Sequence, residues 1–291
     1  MAVKPDTTAT DSMRSIREPT NNRMMASFRM PALAVVLCGC VTLPAEYLPV
    51  AHNPSAAATR DIEPPGPGAV AHASALFLVR AYGSERAAEL AAMADEDYQR
   101  VMAHTGLFSF RPGGLYPVAV YRGQDEYLAK TGAPRWSGGV AVGNAIYTYE
   151  SPTIANTLAH EISHLIFQEY MGGPGRLGWF NEGLAVYEEL QVSPPDKRRE
   201  IEEWLASAHE SPMPFSEMVT YRPGDRRTHQ WYGQSASVAR YLVEGGGRTG
   251  VARFLEATRA GSNVDQALAQ GFPALCTDLA SLERHWKETK T

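Results

Sequence analysis

The chain has 291 residues, of which 44% are hydrophobic and 20% charged, and its formal net charge is −5 at pH 7. This acidic balance argues against nucleic acid as a partner, because phosphate backbones are bound by clusters of lysine and arginine. Three cysteines, Cys38, Cys40 and Cys276, are too few for a disulfide framework. Stability must therefore come from an apolar core, and about 220 residues suffice for one domain with a sizeable core.

The amino-terminal segment predicts export from the cytoplasm. Residues 28–40 contain a basic residue, a short apolar run and the ending Leu37-Cys-Gly-Cys40. This ending resembles the lipobox of bacterial lipoprotein signal peptides, which implies removal of residues 1–39 and acylation of Cys40. The apolar run is too short to span a bilayer core of about 30 Å as a helix, which favours a signal peptide over a permanent anchor.

The expected location is the bacterial cell envelope, with the lipid anchor in the outer membrane and the protein facing the periplasm. The residues before Met24 and Met25 are polar, and a start at either methionine would leave a signal of ordinary length. If the lipobox is not used, a secreted or periplasmic protein is expected instead. Residues 40–70, rich in Pro and Ala, are predicted to be a tether, and residues 71–291 the folded domain.

The first elements of the domain are predicted to form a helix followed by strands. A long helix is expected around Ala71–Thr105, then a strand near Tyr116–Tyr121, a short helix, and a strand over Val140–Tyr149. The last strand alternates small and apolar residues. It is predicted either to pair with an extended peptide as an edge strand or to be an ordinary sheet edge.

The next segment contains the pattern His160-Glu161-x-x-His164. Apolar residues recur around it at three- and four-residue steps, which predicts an amphipathic helix over about 152–171 that ends in a glycine-rich turn. Residues four apart share a helix face, so both histidines can bind one cation while Glu161 projects about 100° round the helix. A catalytic zinc usually has three protein ligands, and Glu182 on the following predicted helix is the best candidate for the third.

This segment resembles a known family. His-Glu-x-x-His followed after a short loop by Trp179-Phe-Asn-Glu-Gly-Leu-Ala-x-Tyr187 is similar to the gluzincin metallopeptidases, most closely to small bacterial peptidase-MA-like domains. The resemblance implies a zincin-like fold and one Zn²⁺ per chain. It also implies zinc ligands and a general base, which we assign to the residues of this sequence that match the family's motif. The ligands are His160, His164 and Glu182, and the base is Glu161.

The resemblance also implies supporting residues around the metal. Glu189 matches an acid that lies behind the ligands in the aminopeptidase branch. Asn181 is expected either to fix the Glu182 carboxylate or to cap its helix, and capping is the simpler interpretation. Tyr232 and His229 are candidates for stabilising an oxyanion, because gluzincins often place a Tyr or His from a later helix over the site. A packing role is the alternative for Tyr232.

Other zinc classes and other histidines fit less well. Phe167 and Tyr170 stand where metzincins need Gly and His, and the Gly-x-Met-Glu-Asn signature of aminopeptidases is absent upstream of the motif. The remaining histidines lie outside any ligand spacing and are predicted to be surface or capping residues. They are His52, His72, His104, His209 and His285.

The rest of the chain is predicted to be helical. The predicted helices run from Pro195 to about Ala208, over Trp231–Val243, over Thr249–Arg259 after a break at Gly245-Gly-Gly247, over Val264–Ala269 and over Leu275–Lys287. The whole pattern predicts an α+β fold. In it, a small sheet with an edge strand lies over an active-site helix, beside a mainly helical carboxy-terminal half.

Two functions of different class are compatible with these residues. The first is a zinc-dependent peptidase that hydrolyses a peptide or protein substrate through a metal-activated water, with Glu161 as general base. The alternative is a noncatalytic lipoprotein that uses the zinc site as a structural or peptide-binding element. An intact Glu161 favours the peptidase, because a structural site needs no base and usually closes its fourth position with a ligand.

Overall fold

The computed structural model describes residues 62–108, 110–173, 177–224 and 226–289. One five-stranded sheet forms the β part of the fold, with its strands in the order β1-β2-β3-β5-β4. The strands are β1 (Ala69–Ala73), β2 (Phe77–Tyr82), β3 (Tyr116–Tyr121), β4 (Gly139–Val142) and β5 (Ala145–Tyr149). The two outer pairs are antiparallel, and β3 pairs in parallel with β2 and β5. The sheet is therefore mixed, and the fold is α+β as predicted.

Nine helices lie within the described ranges. They are α1 (Ser84–Thr105), α2 (Gln124–Thr131), α3 (Ile154–Met171), α4 (Gly178–Val192), α5 (Pro195–Ser207), α6 (Phe215–Met218), α7 (Thr228–Arg259), α8 (Val264–Gly271) and α9 (Leu279–Glu288). Helices α1 and α3 cover one face of the sheet, and α2 covers part of the other. Alternate residues of β2, namely Phe77, Val79 and Ala81, are fully buried on the face toward α1.

Strand β4 is an edge strand of the sheet and also packs against α3. It pairs with β5 around a turn at Gly143, whose φ of 62° is the left-handed conformation that glycine adopts without strain. Ala141 faces the main core with α3, whereas Val140 and Val142 face the smaller core under α2. An edge of the sheet is thus placed directly beside the helix that contains the His-Glu-x-x-His pattern.

Two of the predicted elements are wrong in part. The first portion of the predicted Ala71–Thr105 helix forms β1 and β2, and the helix begins only after Gly83, whose φ is 93°. The turn between these strands is held by Asp95, which accepts hydrogen bonds from the Ser74 hydroxyl and the Leu76 amide. The single strand predicted over Val140–Tyr149 is a hairpin, because the chain reverses at Gly143. Both differences are therefore local hairpins, in which β1 pairs with β2 and β4 pairs with β5 across a short turn.

The helices of the carboxy-terminal half follow the prediction more closely. The break predicted at the glycine triplet is confirmed at Gly247, where φ is 61° and ψ is 178° inside α7. Helix α4 packs between α3 and α7. Its approach to α7 requires Gly183, because a Cβ atom there would lie 2.3 Å from the Ser235 carbonyl oxygen.

The residues just before the sheet contact the domain. The Tyr121 hydroxyl donates to the Glu63 carbonyl at 2.8 Å, and the Gly66 amide donates to Glu126 at 2.9 Å. The end of the predicted tether is therefore bonded to the fold. The signal segment and Cys40 lie outside the described residues. Within the described ranges, no helix has both the length and the apolar character that a membrane span requires.

Candidate metal centre

The predicted metal helix is α3, and nearly all of its side chains are buried. Ile154, Leu158, Ile162 and Leu165 give it an apolar face, and it ends at Gly172, which adopts a left-handed φ of 76°. His160 and His164 are one turn apart, and their ring centroids are separated by 4.8 Å. The spacing read from the sequence therefore places the two imidazoles side by side in the interior.

Helix α4 supplies the carboxylate that faces these histidines. Glu182 Oε2 lies 3.4 Å from His164 Nε2 and 4.0 Å from His160 Nε2. The three residues are buried, and their ligand atoms all lie within 4.8 Å of one another. A tetrahedral zinc with bonds of about 2.0–2.1 Å separates its ligand atoms by about 3.4 Å. The three side chains thus fit a zinc ion with small adjustments.

The opposite nitrogen of each imidazole is bonded within the protein. His164 Nδ1 lies 3.0 Å from Asn181 Oδ1, and His160 Nδ1 lies 3.4 Å from Glu189 Oε2. A proton on each Nδ1 donated to these oxygens directs the lone pair of Nε2 toward Glu182. Neither Nε2 atom has a hydrogen-bond partner among the described residues. Buried polar atoms rarely lack partners, so this pair of nitrogens is suited to a cation.

Asn181 does not cap its helix. Helix α4 begins at Gly178 after Leu177, and no side chain caps its first turn. The backbone N–H of Asn181 donates within the helix to the Leu177 carbonyl, while the Asn181 side chain contacts His164. The capping interpretation is therefore wrong, and Asn181 lies behind a candidate ligand in the same way as Glu189.

The carboxylate also changes the proton affinity of the neighbouring imidazole. Burial disfavours the charged form of His164, but the Glu182 and Glu161 carboxylates and the hydrogen bond to Asn181 together outweigh burial and raise the pKa of His164 to about 9. Zinc binds the neutral imidazole, so a cation bound here would displace a proton.

Glu161 is buried beside the edge strand. A Cβ atom at Gly139 of β4 would lie 3.1 Å from Glu161 Oε1 and 2.7 Å from the Thr157 methyl carbon. Only glycine leaves this space to the Glu161 carboxylate. No local pattern in the sequence marks Gly139, because its proximity to Glu161 depends on how the hairpin packs on α3.

The two oxyanion candidates lie on the first turns of α7. The His229 ring packs on Trp204 of α5, with centroids 5.1 Å apart, and burial lowers the pKa of His229. Tyr232 is half-buried and meets the Trp231 ring edge-on. It lies one turn before Ser235, the residue that contacts Gly183 next to Glu182. Tyr232 is therefore the nearer candidate along α7, and its role stays a prediction.

A second group of charged residues lies between α1 and α4, and we call it the charge cluster. Its carboxylates, Asp97 and Glu188, are buried, whereas Arg100 and His104 are partly exposed. Arg100 donates to Glu188 Oε2 at 3.1 Å and to Asp97 Oδ1 at 2.6 Å. His104 Nδ1 lies 2.7 Å from Glu188 Oε1. His104, predicted to be a surface or capping residue, lies in the last turn of α1 with its side chain partly exposed, and its ring bonds the buried Glu188 carboxylate. His209 was assigned in the same way, and it stacks on Trp286 at a centroid distance of 3.9 Å.

Comparisons with known proteins do not add to this description. No model of a known protein family matches the chain, and no curated protein matches it.

Proposed function

We propose that this protein is a zinc-dependent peptidase of gluzincin type, with His160, His164 and Glu182 as zinc ligands and Glu161 as general base. The observation that carries the proposal is the convergence of two imidazole Nε2 atoms and one carboxylate oxygen in the buried interior. The Nδ1 atom of His160 is bonded to Glu189 and the Nδ1 atom of His164 to Asn181, which orients both imidazoles. Such support of metal-binding histidines is typical of metal sites.

The composition of the site favours catalysis over a purely structural role. Within the described ranges, the group that could hold a metal has three members. Structural zinc sites in proteins normally have four protein ligands, whereas catalytic sites have three and keep one position for water. Glu161 precedes the second ligand by three residues and is buried, although no structural site would require a carboxylate there.

Each side chain has a defined task in the proposed hydrolysis. When bound, zinc would supply Lewis acidity that polarises the scissile carbonyl and makes a water molecule more acidic. Glu161 accepts one proton from that water as its oxygen attacks the carbonyl carbon. Glu161 then gives the proton to the amide nitrogen as the carbon–nitrogen bond breaks, so that a carboxylic acid and an amine are formed. Glu189 and Asn181 keep the imidazoles in place throughout.

The edge strand suggests how a substrate would be held. Gly139, which has no side chain, and Ala141, whose side chain is a methyl group, both face α3 from β4. An extended peptide can pair with an exposed sheet edge through backbone hydrogen bonds. A peptide paired with β4 would run beside Glu161, which supports an extended polypeptide as the substrate.

The proposed location is the cell envelope, with Cys40 as the lipid-bearing residue. This part of the proposal rests on the lipobox-like Leu37-Cys-Gly-Cys40 sequence. A Cys40→Ser variant expressed in a bacterium should lose incorporation of labelled fatty acid and leave the membrane fraction. Labelling of the variant equal to that of the unchanged chain would contradict the assignment.

The activity is tested with a labelled, unfolded polypeptide and the zinc-loaded chain. We expect hydrolysis that a chelator removes and added zinc restores. The Glu161→Gln variant should keep its zinc and lose about a thousandfold in rate, because the general base is gone. The matched control is Glu169→Gln on the same helix, an exposed carboxylate bonded to the Tyr116 hydroxyl, which should retain the rate. Equal rates for Glu161→Gln and the unchanged chain would exclude Glu161 as the base.

A further inference from the structure

The charge cluster is joined to the candidate metal centre through two consecutive residues of α4. Glu188 is fully buried and faces α1, where its two oxygens contact Arg100 and His104. Glu189 is the next residue, and it faces α3, where its carboxylate contacts His160. Neighbouring residues on a helix point about 100° apart, so one rotation of α4 satisfies both contacts.

Apolar packing alone would not fix this rotation closely. Turning a helix by about 20° moves a glutamate carboxylate by about 2 Å, because that group lies several ångströms from the helix axis. Metal–ligand distances tolerate deviations of only about 0.2 Å. Hydrogen bonds are directional, and Arg100 and His104 therefore restrict the rotation of α4 more narrowly than side chains in van der Waals contact do.

Stability alone does not explain the charge cluster. Burying ionised groups costs several kcal/mol in desolvation, and apolar residues of similar size are often as stabilising or more so. Asp97 and Glu188 are nevertheless both buried. A polar arrangement retained in the interior is best attested where it specifies one geometry among several.

We propose that the charge cluster positions the metal centre: Arg100 and His104, through Glu188, hold α4 in the rotation that brings Glu182 and Glu189 to the two histidines. This inference rests on the proposed zinc site. Arg100, His104 and Glu188 are positioning residues, since none of them contacts the candidate ligands.

The test measures zinc affinity and metal-free stability in the same variants. The full chain is used with Cys38 and Cys40 replaced by serine, so that their thiols bind no zinc. In this background, the double variant Arg100→Met/Glu188→Met replaces the ion pair with apolar side chains. We expect its dissociation constant for zinc to rise about tenfold. Its metal-free unfolding free energy should fall, because the buried Asp97 carboxylate loses its Arg100 partner, and a destabilised control variant therefore has to be compared with it. Glu188→Gln keeps an acceptor for Arg100, so its dissociation constant for zinc should rise less. This single variant takes the place of the double variant in the test if the double variant does not fold.

The control is Leu282→Ala, which removes a buried side chain of α9. It should lower stability and leave zinc affinity unchanged. If the unchanged chain binds zinc and the cluster variants bind it equally well, the inference fails and the proposed function stands. A loss of affinity that follows the loss of stability in all variants, the control included, would also overturn it. Absence of zinc binding in the unchanged chain would overturn both.

Discussion

The candidate metal centre and the charge cluster contain the same kinds of residue, but their buried polar atoms differ in hydrogen bonding. Each combines histidine with buried carboxylate side chains, and each includes residues of α4. In the charge cluster, both Glu188 oxygens have partners within the protein. At the metal centre, the Nε2 atoms of His160 and His164 have no hydrogen-bond partner among the described residues.

This difference separates a structural polar group from a candidate ligand site. Buried polar atoms are normally satisfied inside the protein, so the Glu188 carboxylate, whose two oxygens are both bonded, needs no ligand. Two convergent nitrogens that face a carboxylate, with their other nitrogens already bonded, leave a place for a cation. The comparison predicts that changes at the metal centre mainly affect zinc binding, whereas changes at Asp97 mainly affect stability.

The largest effect on zinc affinity in this comparison is expected at the two residues that bond the imidazole Nδ1 atoms. Asn181→Ala and Glu189→Ala should each weaken zinc binding about 10- to 100-fold, because each removes the acceptor that orients one imidazole. Competition with a chelator of known affinity measures the change. Gln191→Ala is the matched control on α4, since the Gln191 side chain donates to a carbonyl of its own helix, that of Tyr187. Unchanged affinity in both acceptor variants would mean that the imidazoles are not held in this way.

A smaller effect is expected at the contact between β4 and α3. Gly139→Ala adds a methyl group that meets the Thr157 methyl and the Glu161 carboxylate. Displacing the base by a fraction of an ångström should slow hydrolysis about tenfold and leave zinc content unchanged. Thr157→Ser removes one of the two clashes, so the double variant should recover part of the rate. A Gly139→Ala enzyme with full activity would show that Glu161 has more room than the structure gives it.

The smallest effect on zinc affinity is expected from substitution of Asp97. Burial raises the pKa of Asp97 to about 6 despite the opposing charge of Arg100, with Glu188 and Glu96 adding to the rise. A raised carboxyl pKa means that the protonated form favours the fold. Its stabilising contribution is complete below about pH 4 and is lost as the pH rises through about 6.

Chemical denaturation of the unchanged chain and of Asp97→Asn between pH 4 and 7 measures this loss. The unchanged chain should lose about 2 kcal/mol relative to the variant over that range. Zinc affinity at pH 7 should change less than twofold, because Arg100 still bonds Glu188. Parallel stability profiles would show that Asp97 has an ordinary pKa.

The sequence predicted the parts of the site that depend on local spacing. Four-residue spacing places His160 and His164 on one face of any helix, and the glycine-rich turn allows α4 to fold back with Glu182. The break in α7 was also predictable, because Gly247 adopts a conformation that other residues avoid.

Contacts between distant elements were not predictable in this way. The Asn181 contact with His164 depends on the rotation of α4 against α3, and the helix-capping preference of Asn pointed to the wrong interpretation. Gly139 meets Glu161 only after the hairpin packs on α3. The charge cluster joins residues 84 or more positions apart along the chain, at Glu188 with His104 and with Arg100. No periodic pattern in the sequence marks such pairs.

The most direct test of the account is the zinc content of the full chain, with Cys38 and Cys40 replaced by serine, beside the same chain carrying Glu182→Ala. The account predicts about one zinc per chain, and weakening of binding by at least about a hundredfold when the carboxylate ligand is removed. Folding of the variant is checked by circular dichroism. A chain that binds no zinc, or a variant that binds it as tightly as the unchanged chain, would contradict the three-ligand centre on which the proposed function depends.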